Sequence, residues 1–191
     1  MAFENYCEPG GMTAVLADPG LFAEEMFRGR CELAAVNFSS HFVISTRCAE
    51  LEAIEAALDK HDISYQRLPV SFPFHSQWIE DAKTPFDSFM RSVPRKQGRL
   101  PLACCQQTTI LSSLPENYFW DVARRPIRFR ETIAQLEQQG AHRYIDVGPA
   151  GTLATFLKYA VPETKSAVHA ILTPFGFDQK NLAALLATIR N

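Results

Sequence analysis

The stretch Cys31-Glu-Leu-Ala-Ala-Val-Asn-Phe-Ser-Ser-His-Phe-Val-Ile-Ser-Thr46 contains two apolar runs that are separated only by the polar segment Ser39-Ser-His41. Both runs contain β-branched and aromatic side chains, which are favoured in strands. A separation this short is typical of a β-hairpin. The stretch therefore predicts two antiparallel strands, at 31–38 and 42–46, in the N-terminal part of the chain.

The segments on either side of this hairpin complete a β-α-β-β-α-β order. In chain order, the patterns predict a strand at 10–17, a short amphipathic segment at 19–28, the hairpin, a helix with Leu51, Ile54 and Leu58 on one face, and a strand at 63–70. Thr46, which precedes the helix, is a candidate N-cap. This order is that of the ferredoxin-like fold. We therefore predict a small α+β subdomain over residues 9–70.

Residues 71–191 alternate between helical and strand patterns, which is typical of α/β layering. Apolar residues at helical spacing surround Pro85, which is expected to kink that helix. Further helices are predicted at 129–138 and 151–159, with a strand at 143–147 between them. The strands are too few for a complete doubly wound sheet. This part is therefore similar to the C-terminal portion of an α/β domain.

The composition is that of an ordinary globular protein, with 47% apolar and 21% charged residues. A net charge of -2 gives no support for nucleic-acid binding, which requires a basic surface. No apolar run approaches the roughly 20 residues of a membrane helix. The five cysteines form no C-x-x-C pair. We interpret them as reduced thiols of a cytoplasmic protein, with a vicinal redox pair at Cys104 and Cys105 as the alternative.

The segment Leu68-Pro-Val-Ser-Phe-Pro-Phe-His-Ser76 places a histidine between a predicted strand and a helical pattern. A neutral imidazole is a natural base for a hydroxyl group near neutral pH, so His75 is the candidate general base. No Gly-x-Ser-x-Gly elbow, the usual setting of a serine nucleophile, occurs in the 191 residues. The segment therefore predicts half of an active site. No histidine pair has the spacing of a metal site, and no metal is predicted.

Two other segments allow both a structural and a functional interpretation. Gly148-Pro-Ala-Gly-Thr152 follows a strand and opens a helix, which suits a plain turn or a phosphate cradle. Arg124-Arg-Pro-Ile-Arg-Phe-Arg130 is the densest basic segment. It suits a solvated helix connection or a docking patch for an acidic or phosphate-bearing partner.

Seven short motifs together carry a family resemblance. In chain order they are Gly11-Met-Thr-Ala-Val15, Val36-Asn-Phe-Ser-Ser40, Val43-Ile-Ser45, Leu68-Pro-Val-Ser71, Phe74-His-Ser76, Pro126-Ile-Arg-Phe129 and Asp146-Val-Gly-Pro149. The ordered set resembles the malonyl-CoA:acyl-carrier-protein transacylases and the acyltransferase domains of polyketide synthases. The segments Phe119-Trp-Asp-Val122 and Gly151-Thr-Leu-Ala-Thr-Phe-Leu-Lys158 are most similar to the discrete, trans-acting acyltransferases of bacterial polyketide assembly lines.

The resemblance implies an acyl-enzyme mechanism without a bound cofactor. In this family a serine on a Gly-His-Ser-x-Gly elbow takes malonyl from malonyl-CoA, and the phosphopantetheine thiol of an acyl carrier protein accepts it. His75 matches the catalytic histidine of the family. The main chain near Val122 matches the position of the carbonyl that orients the imidazole. Residues 71–191 match the C-terminal part of an α/β-hydrolase-like large subdomain.

Several family features have no match among the 191 residues. They are the serine elbow, the arginine that binds the malonate carboxylate, and a Gly-Gln-Gly segment at the oxyanion hole. We therefore expect these features on a segment N-terminal to residue 1. Because the nucleophile of acyl transfer would then be missing, we expect this chain alone to be inactive.

The resemblance also implies roles for residues outside the catalytic histidine. Phe74, Asn37 and Ser39 are implied to line the substrate pocket, and the hairpin turn at Ser39 is slightly shorter than the family pattern. The basic residues of the docking patch, as candidate contacts for an acyl carrier protein, are Arg124, Arg125 and Arg128.

Three other functions are compatible with the same residues. An acyl hydrolase that clears stalled acyl groups from carrier proteins shares the family and differs at the carboxylate-binding arginine. The missing serine would also suit a non-catalytic module that binds carrier proteins. A serine elbow upstream of residue 1 in the parent sequence would exclude this module. A Cys–His enzyme would pair Cys104 or Cys105 with His75.

Overall fold

The chain divides into two compact units, Met1–Phe129 and Arg130–Asn191, and the computed structural model describes residues 2–189. The first unit contains a four-stranded sheet and a separate two-stranded hairpin. The second unit contains a two-stranded parallel sheet with its helices. The predicted subdomain boundary at residues 70 and 71 lies inside the first unit.

The elements alternate between strands and helices along the chain. In order they are α1 (Ala2–Tyr6), β1 (Gly10–Val15), β2 (Glu32–Phe38), β3 (His41–Arg47), α2 (Cys48–Lys60), β4 (Tyr65–Arg67), α3 (Lys83–Ser92), β5 (Leu102–Cys104), β6 (Thr109–Leu111), α4 (Tyr118–Arg124), α5 (Phe129–Gln138), β7 (Arg143–Asp146), α6 (Thr152–Ala160), β8 (Ala167–Ala170) and α7 (Asp178–Ile189). Two 3₁₀ helices, Pro19–Ala23 and Gln77–Ala82, follow β1 and β4 respectively.

The four-stranded sheet has the ferredoxin-like strand order β2-β3-β1-β4, and every neighbouring pair is antiparallel. β1 pairs with β3 along its whole length, from Gly10 opposite Arg47 to Val15 opposite Phe42. The hairpin predicted from residues 31–46 is confirmed as β2 and β3. The predicted mixture of an antiparallel sheet with flanking helices is therefore present in the first unit.

The connections at each end of the hairpin differ from the prediction. After β1, the amphipathic segment forms only the 3₁₀ helix Pro19–Ala23, where the Asp18 carboxylate accepts the Gly20 N–H at 2.7 Å. Thr46 is not the N-cap of α2, because it is fully buried within β3. Its hydroxyl donates to the Arg30 carbonyl at 2.5 Å, so it ties β3 to the loop before β2.

Two predictions that involve proline also need correction. β4 spans Tyr65–Arg67 rather than 63–70. Pro69 has no N–H to donate, so the ladder cannot extend through it. Pro85 does not kink a helix, because it lies in the first turn of α3. The N–H groups of a first turn have no partner within the helix, and the missing N–H of proline costs nothing there.

The two faces of the sheet bury different neighbours, because side chains alternate along each strand. One face packs against α2, in a cluster of Val15, Phe42, Ile44, Ile54 and Leu58. The opposite face carries Met12, Ala14, Ala34 and Val43, against which four partly buried residues pack: Leu68, Val70, Phe74 and Ile127. The second face therefore supports both the residue before His75 and a residue of the segment after α4.

In the second unit, β7 pairs in parallel with β8, from Arg143 opposite Ala167 to Asp146 opposite Ala170. Among the described residues, β8 is the only strand that pairs with β7. Two apolar side chains are exposed at this strand, Ile145 at 40% and Val147 at 70%. No helix formed by residues 2–189 is long and apolar enough to cross a membrane.

The turn between β7 and α6 is closed by a carboxylate. Asp146 accepts the Gly148 N–H through Oδ1 at 2.8 Å and the Ala154 N–H through Oδ2 at 2.9 Å. An acidic side chain thus occupies the place that a phosphate would take at this helix N-terminus. Gly151 has a φ of 64°, and a Cβ there would lie 2.9 Å from the Ala170 Cβ. The segment is a plain strand-to-helix turn.

Hydrogen exchange is expected to differ between the sheets. β1 and β3 are paired on both edges and covered on both faces, so their amides should exchange most slowly. β5 and β6 form a hairpin with exposed apolar side chains, and β7 is paired on one edge only, so these strands should exchange faster. Mass spectrometry on this chain would compare peptides covering 10–15 and 41–47 with peptides covering 102–111 and 143–147. Equal protection in all four peptides would contradict this prediction.

Candidate active site around His75

His75 lies in the loop between β4 and the 3₁₀ helix Gln77–Ala82, with a φ of 61°. This left-handed backbone conformation costs roughly 1–2 kcal/mol for a residue with a Cβ. It persists only where the surrounding contacts determine it, and such residues cluster at functional sites. The neighbouring Ser76 is fully buried, and its hydroxyl donates to the Pro73 carbonyl. The conformation of this loop is therefore fixed by its surrounding contacts.

Two main-chain carbonyls from the end of α4 hold His75. Its backbone N–H donates to the Ala123 carbonyl at 2.9 Å, and its ring Nδ1 lies 2.8 Å from the Arg125 carbonyl oxygen. A carbonyl oxygen only accepts hydrogen bonds, so Nδ1 must carry the proton. In the neutral ring the lone pair is then on Nε2. This is the tautomer that a general base requires.

The pKa of His75 is lowered from its ordinary value, because burial disfavours the charged imidazolium. The hydrogen bond to the Arg125 carbonyl opposes this shift, since it stabilises the Nδ1–H. Burial is the larger effect. The imidazole is therefore neutral at neutral pH and can accept a proton.

The segment that supplies these carbonyls is itself fixed at both ends. The Arg125 N–H donates to the Asp121 carbonyl at 2.8 Å, which closes the last turn of α4. Two residues later, the Ile127 N–H donates to the Ala34 carbonyl at 2.8 Å, and the Ile127 carbonyl accepts the Val36 N–H at 3.0 Å. These bonds form a parallel bridge on the edge of β2. The ferredoxin-like sheet thus positions the carbonyl that orients His75.

The orienting carbonyl belongs to Arg125 and not, as predicted, to the main chain near Val122. α4 ends at Arg124, and Arg125 has extended backbone angles, φ -89° and ψ 154°. These angles turn its carbonyl out of the helix direction. Because every residue has a carbonyl, no side-chain pattern in the sequence could identify which one faces the ring.

Phe74 belongs to an aromatic cluster beside His75. Its ring lies 5.1 Å from that of Phe3 and 6.2 Å from that of Phe72, both in edge-to-face geometry. The ring is partly buried, between the sheet face and the 3₁₀ helix after His75. Such pairs add roughly 0.5–1.5 kcal/mol beyond burial. Phe74 therefore holds the loop, and its predicted place in the substrate pocket stays a prediction.

The other two predicted pocket residues lie on the hairpin of β2 and β3. Asn37 is buried, and its amide nitrogen lies 3.1 Å from Nδ1 of His41. Burial lowers the pKa of His41, which keeps its ring neutral and able to accept that amide hydrogen. Ser39 is exposed in the turn. These contacts stay within the hairpin, so the pocket roles of Asn37 and Ser39 remain predictions.

The predicted docking patch needs one correction. The Arg124 side chain is only 14% exposed and is paired with Glu32 and Glu80, so it is not available to a carrier protein. Arg125 and Arg128 are exposed and stay candidates. Within residues 2–189 no group of three metal-ligating side chains is present.

Comparison with known proteins relates this chain to acyltransferases. The chain is 37% identical over 182 residues to "Polyketide biosynthesis acyltransferase homolog PksD" of Bacillus subtilis, which covers 94% of the chain and 56% of that protein. It is 36% identical over 178 residues to "Polyketide biosynthesis acyltransferase homolog BaeD" of Bacillus velezensis, covering 92% of the chain and 55% of that protein. The chain belongs to this acyltransferase family.

Solved structures support the same fold. The acyltransferase domain from the second module of the salinomycin polyketide synthase superposes with a TM-score of 0.80 and 25% identity, covering 97% of this chain and 45% of that one. The malonyl-CoA–acyl carrier protein transacylase of Clostridium perfringens superposes with a TM-score of 0.78 at 20% identity, covering 96% of this chain and 58% of that one. The predicted α/β acyltransferase fold is thereby confirmed.

Two further results concern the extent of this similarity. No family model matches the chain. The chain spans about half the length of the curated relatives it matches, 56% and 55% of the first two.

The His75 ring is expected to be a neutral Nδ1–H tautomer at neutral pH. Because its pKa is lowered, the midpoint of its protonation should lie below about pH 6.5, the ordinary value for histidine. The same shift makes His75 destabilise the fold as the pH falls through this range, since the unfolded chain binds the proton more tightly. Long-range ¹H–¹⁵N NMR of the imidazoles, with His75→Asn to assign the signal, measures both tautomer and pKa. An Nε2–H tautomer, or a raised pKa, would contradict the assignment.

Proposed function

We propose that this chain is part of an acyltransferase that moves a malonyl group from malonyl-CoA to the phosphopantetheine thiol of an acyl carrier protein in polyketide biosynthesis. The observation that carries the proposal is the hydrogen bond from the Nδ1–H of His75 to the Arg125 carbonyl. It leaves Nε2 as the basic nitrogen of a partly buried, neutral imidazole. The similarity to polyketide acyltransferase homologues supports the reaction class.

In the proposed first half-reaction, Nε2 of His75 removes the proton from a serine hydroxyl as the oxygen attacks the malonyl thioester carbon. The carbon–sulfur bond of malonyl-CoA then breaks, and the CoA sulfur receives the proton from the imidazolium. Malonyl is left as a serine ester. Because the Arg125 carbonyl holds the Nδ1–H throughout, the ring needs no reorientation between accepting and releasing the proton.

In the second half-reaction, Nε2 of His75 takes the proton from the phosphopantetheine thiol as the sulfur attacks the serine ester. The ester bond breaks, and the serine oxygen receives that proton. The products are malonyl carrier protein and the free serine hydroxyl. No bound cofactor or metal enters either half-reaction.

The serine would come from outside the 191 residues, which contain no Gly-x-Ser-x-Gly sequence. We place it on a segment N-terminal to residue 1 of the whole protein, together with the carboxylate-binding arginine. The share of the curated relatives that this chain spans leaves room for such a segment. On this proposal the chain alone does not turn over malonyl-CoA.

Carrier-protein recognition is proposed at the exposed arginines Arg125 and Arg128, since the phosphopantetheine arm of a carrier protein bears a phosphate with which a guanidinium can pair. Arg125 would then have two roles: its carbonyl orients the His75 ring, and its guanidinium binds the carrier protein. The proposed location is the cytoplasm, which suits five free cysteines.

Replacing His75 tests its role as the base. In the whole protein, His75→Ala should lower the rate of malonyl transfer to a carrier protein by about 100- to 10,000-fold, the usual size of a general-base loss. His61→Ala is the matched control, because His61 is exposed at the end of α2 and should leave the rate unchanged. An unchanged rate in His75→Ala would show that the role is misassigned. Measuring free malonate alongside malonyl carrier protein separates a transferase from an acyl hydrolase.

Phe74 leads to a prediction about the acyl group. If its ring lines the pocket, a methyl branch on the malonate would overpack against it at a cost of roughly 1–3 kcal/mol. The whole protein should therefore prefer malonyl-CoA over methylmalonyl-CoA by about tenfold or more. Competition between the two CoA esters for one carrier protein measures the preference. Equal incorporation of the two acyl groups would exclude a pocket role for Phe74.

A further inference from the structure

The segment that orients His75 is held by an ion-pair group from three elements. Arg124, the last residue of α4, donates through Nε to a carboxylate oxygen of Glu80 at 2.5 Å. Its Nη1 lies 3.6 Å from Oε2 of Glu32, the first residue of β2. The guanidinium is mostly buried, so water screens these contacts less than those of a surface pair.

The second carboxylate oxygen of Glu32 contacts the other side of the site. Its Oε1 accepts the N–H of Gln77 at 3.0 Å. Gln77 begins the 3₁₀ helix after His75, and the N-cap residue Ser76 makes no side-chain capping bond there. The Glu32 carboxylate therefore supplies the missing acceptor at this helix start, where N–H groups lack partners.

One carboxylate thus connects the two segments that define the position of His75. Gln77 lies two residues after His75, and Arg124 lies directly before Arg125, whose carbonyl contacts the ring. Glu80 completes the link, because it lies on the same 3₁₀ helix as Gln77 and bonds Arg124. A displacement of α4 from the 3₁₀ helix would have to stretch or break these contacts.

This link matters because the conformation of His75 is unfavourable on its own. A φ of 61° at a residue with a Cβ must be maintained by contacts on both sides of it. The ring position also depends on the one carbonyl of Arg125, which a shift of α4 would remove. The orientation of a catalytic group strongly affects the reaction rate, since a displacement of about 1 Å can lower the rate about 100-fold.

We propose that Glu32 and Arg124 are positioning residues that keep the His75 Nδ1–H on the Arg125 carbonyl and so leave Nε2 as the basic nitrogen. Neither side chain contacts the reacting atoms. The inference rests on the proposed function of His75 as the base. Its structural part, the control of ring orientation and tautomer, is measurable without any activity.

The first experiment measures the ring itself. Long-range ¹H–¹⁵N NMR on this chain compares wild type with Glu32→Ala and Arg124→Gln. We expect the His75 signals to change from a single Nδ1–H form to an averaged mixture of the two tautomers in both variants. Glu32→Gln should show a smaller change, because its amide oxygen still accepts the Gln77 N–H while the charge that pairs with Arg124 is lost.

The matched control is Glu55→Gln. Glu55 is a carboxylate of the same unit that is also paired with an arginine, at 2.9 Å from Nε of Arg67. It lies on α2, which covers the opposite face of the sheet from Phe74. Glu55→Gln should lower thermal stability about as much as Glu32→Gln and leave the His75 signals unchanged. A role of Glu32 in stability alone would make the two variants behave alike.

The second experiment measures activity in the whole protein. Glu32→Ala and Arg124→Gln should lower kcat for malonyl transfer about 10- to 100-fold, with KM for malonyl-CoA changed by less than about threefold. Glu80→Gln should also lower kcat, by a smaller factor. Because Glu80 is half exposed and bonds Arg124, this variant carries the test if Glu32→Ala does not fold.

The outcomes separate the inference from the function on which it rests. Unchanged His75 signals in Glu32→Ala, Arg124→Gln and Glu80→Gln overturn the positioning role, even if His75→Ala is inactive. Altered signals together with full activity in His75→Ala overturn the catalytic role of His75 and leave the control of its orientation standing. Altered signals with a lower kcat in the same variants are the result we expect.

Discussion

A carbonyl oxygen can only accept a hydrogen bond, and this constraint determines the chemistry of the site. The contact of 2.8 Å between the Arg125 carbonyl and Nδ1 of His75 assigns the ring proton to Nδ1. Burial then keeps the ring neutral, so Nε2 can accept a proton, as the proposed role of His75 requires. Contacts of the neighbouring residues Phe74 and Ile127 with the four-stranded sheet hold this ring and this carbonyl in place.

The ferredoxin-like sheet fixes the positions of His75 and the Arg125 carbonyl through one of its faces and one of its edges. Phe74, directly before His75, packs on the face that carries Met12 and Val43. Ile127, two residues after Arg125, extends the edge of β2 through a pair of main-chain hydrogen bonds. A loop and a helix end that are 50 residues apart in the chain therefore meet over one rigid support.

Family membership and the geometry of the site give different information about function. The identity to polyketide acyltransferase homologues gives the reaction class, while it says nothing about how this chain holds its imidazole. The left-handed backbone of His75 and the ion pairs of Arg124 are observations of this molecule. Together they are the basis for the proposal that Glu32 and Arg124 position the imidazole of His75.

The sequence by itself determined the strand pattern, the ferredoxin-like order and the histidine, because apolar periodicity and turn residues are local signals. It also indicated helix Phe129–Gln138 with the bounds that the structure has. Only the tertiary structure decided that the orienting carbonyl is that of Arg125 and that Arg124 is an internal ion pair rather than a docking residue. Both contacts form between segments that are distant in the chain. The local sequence around a backbone carbonyl or an arginine does not show which distant residue it will contact.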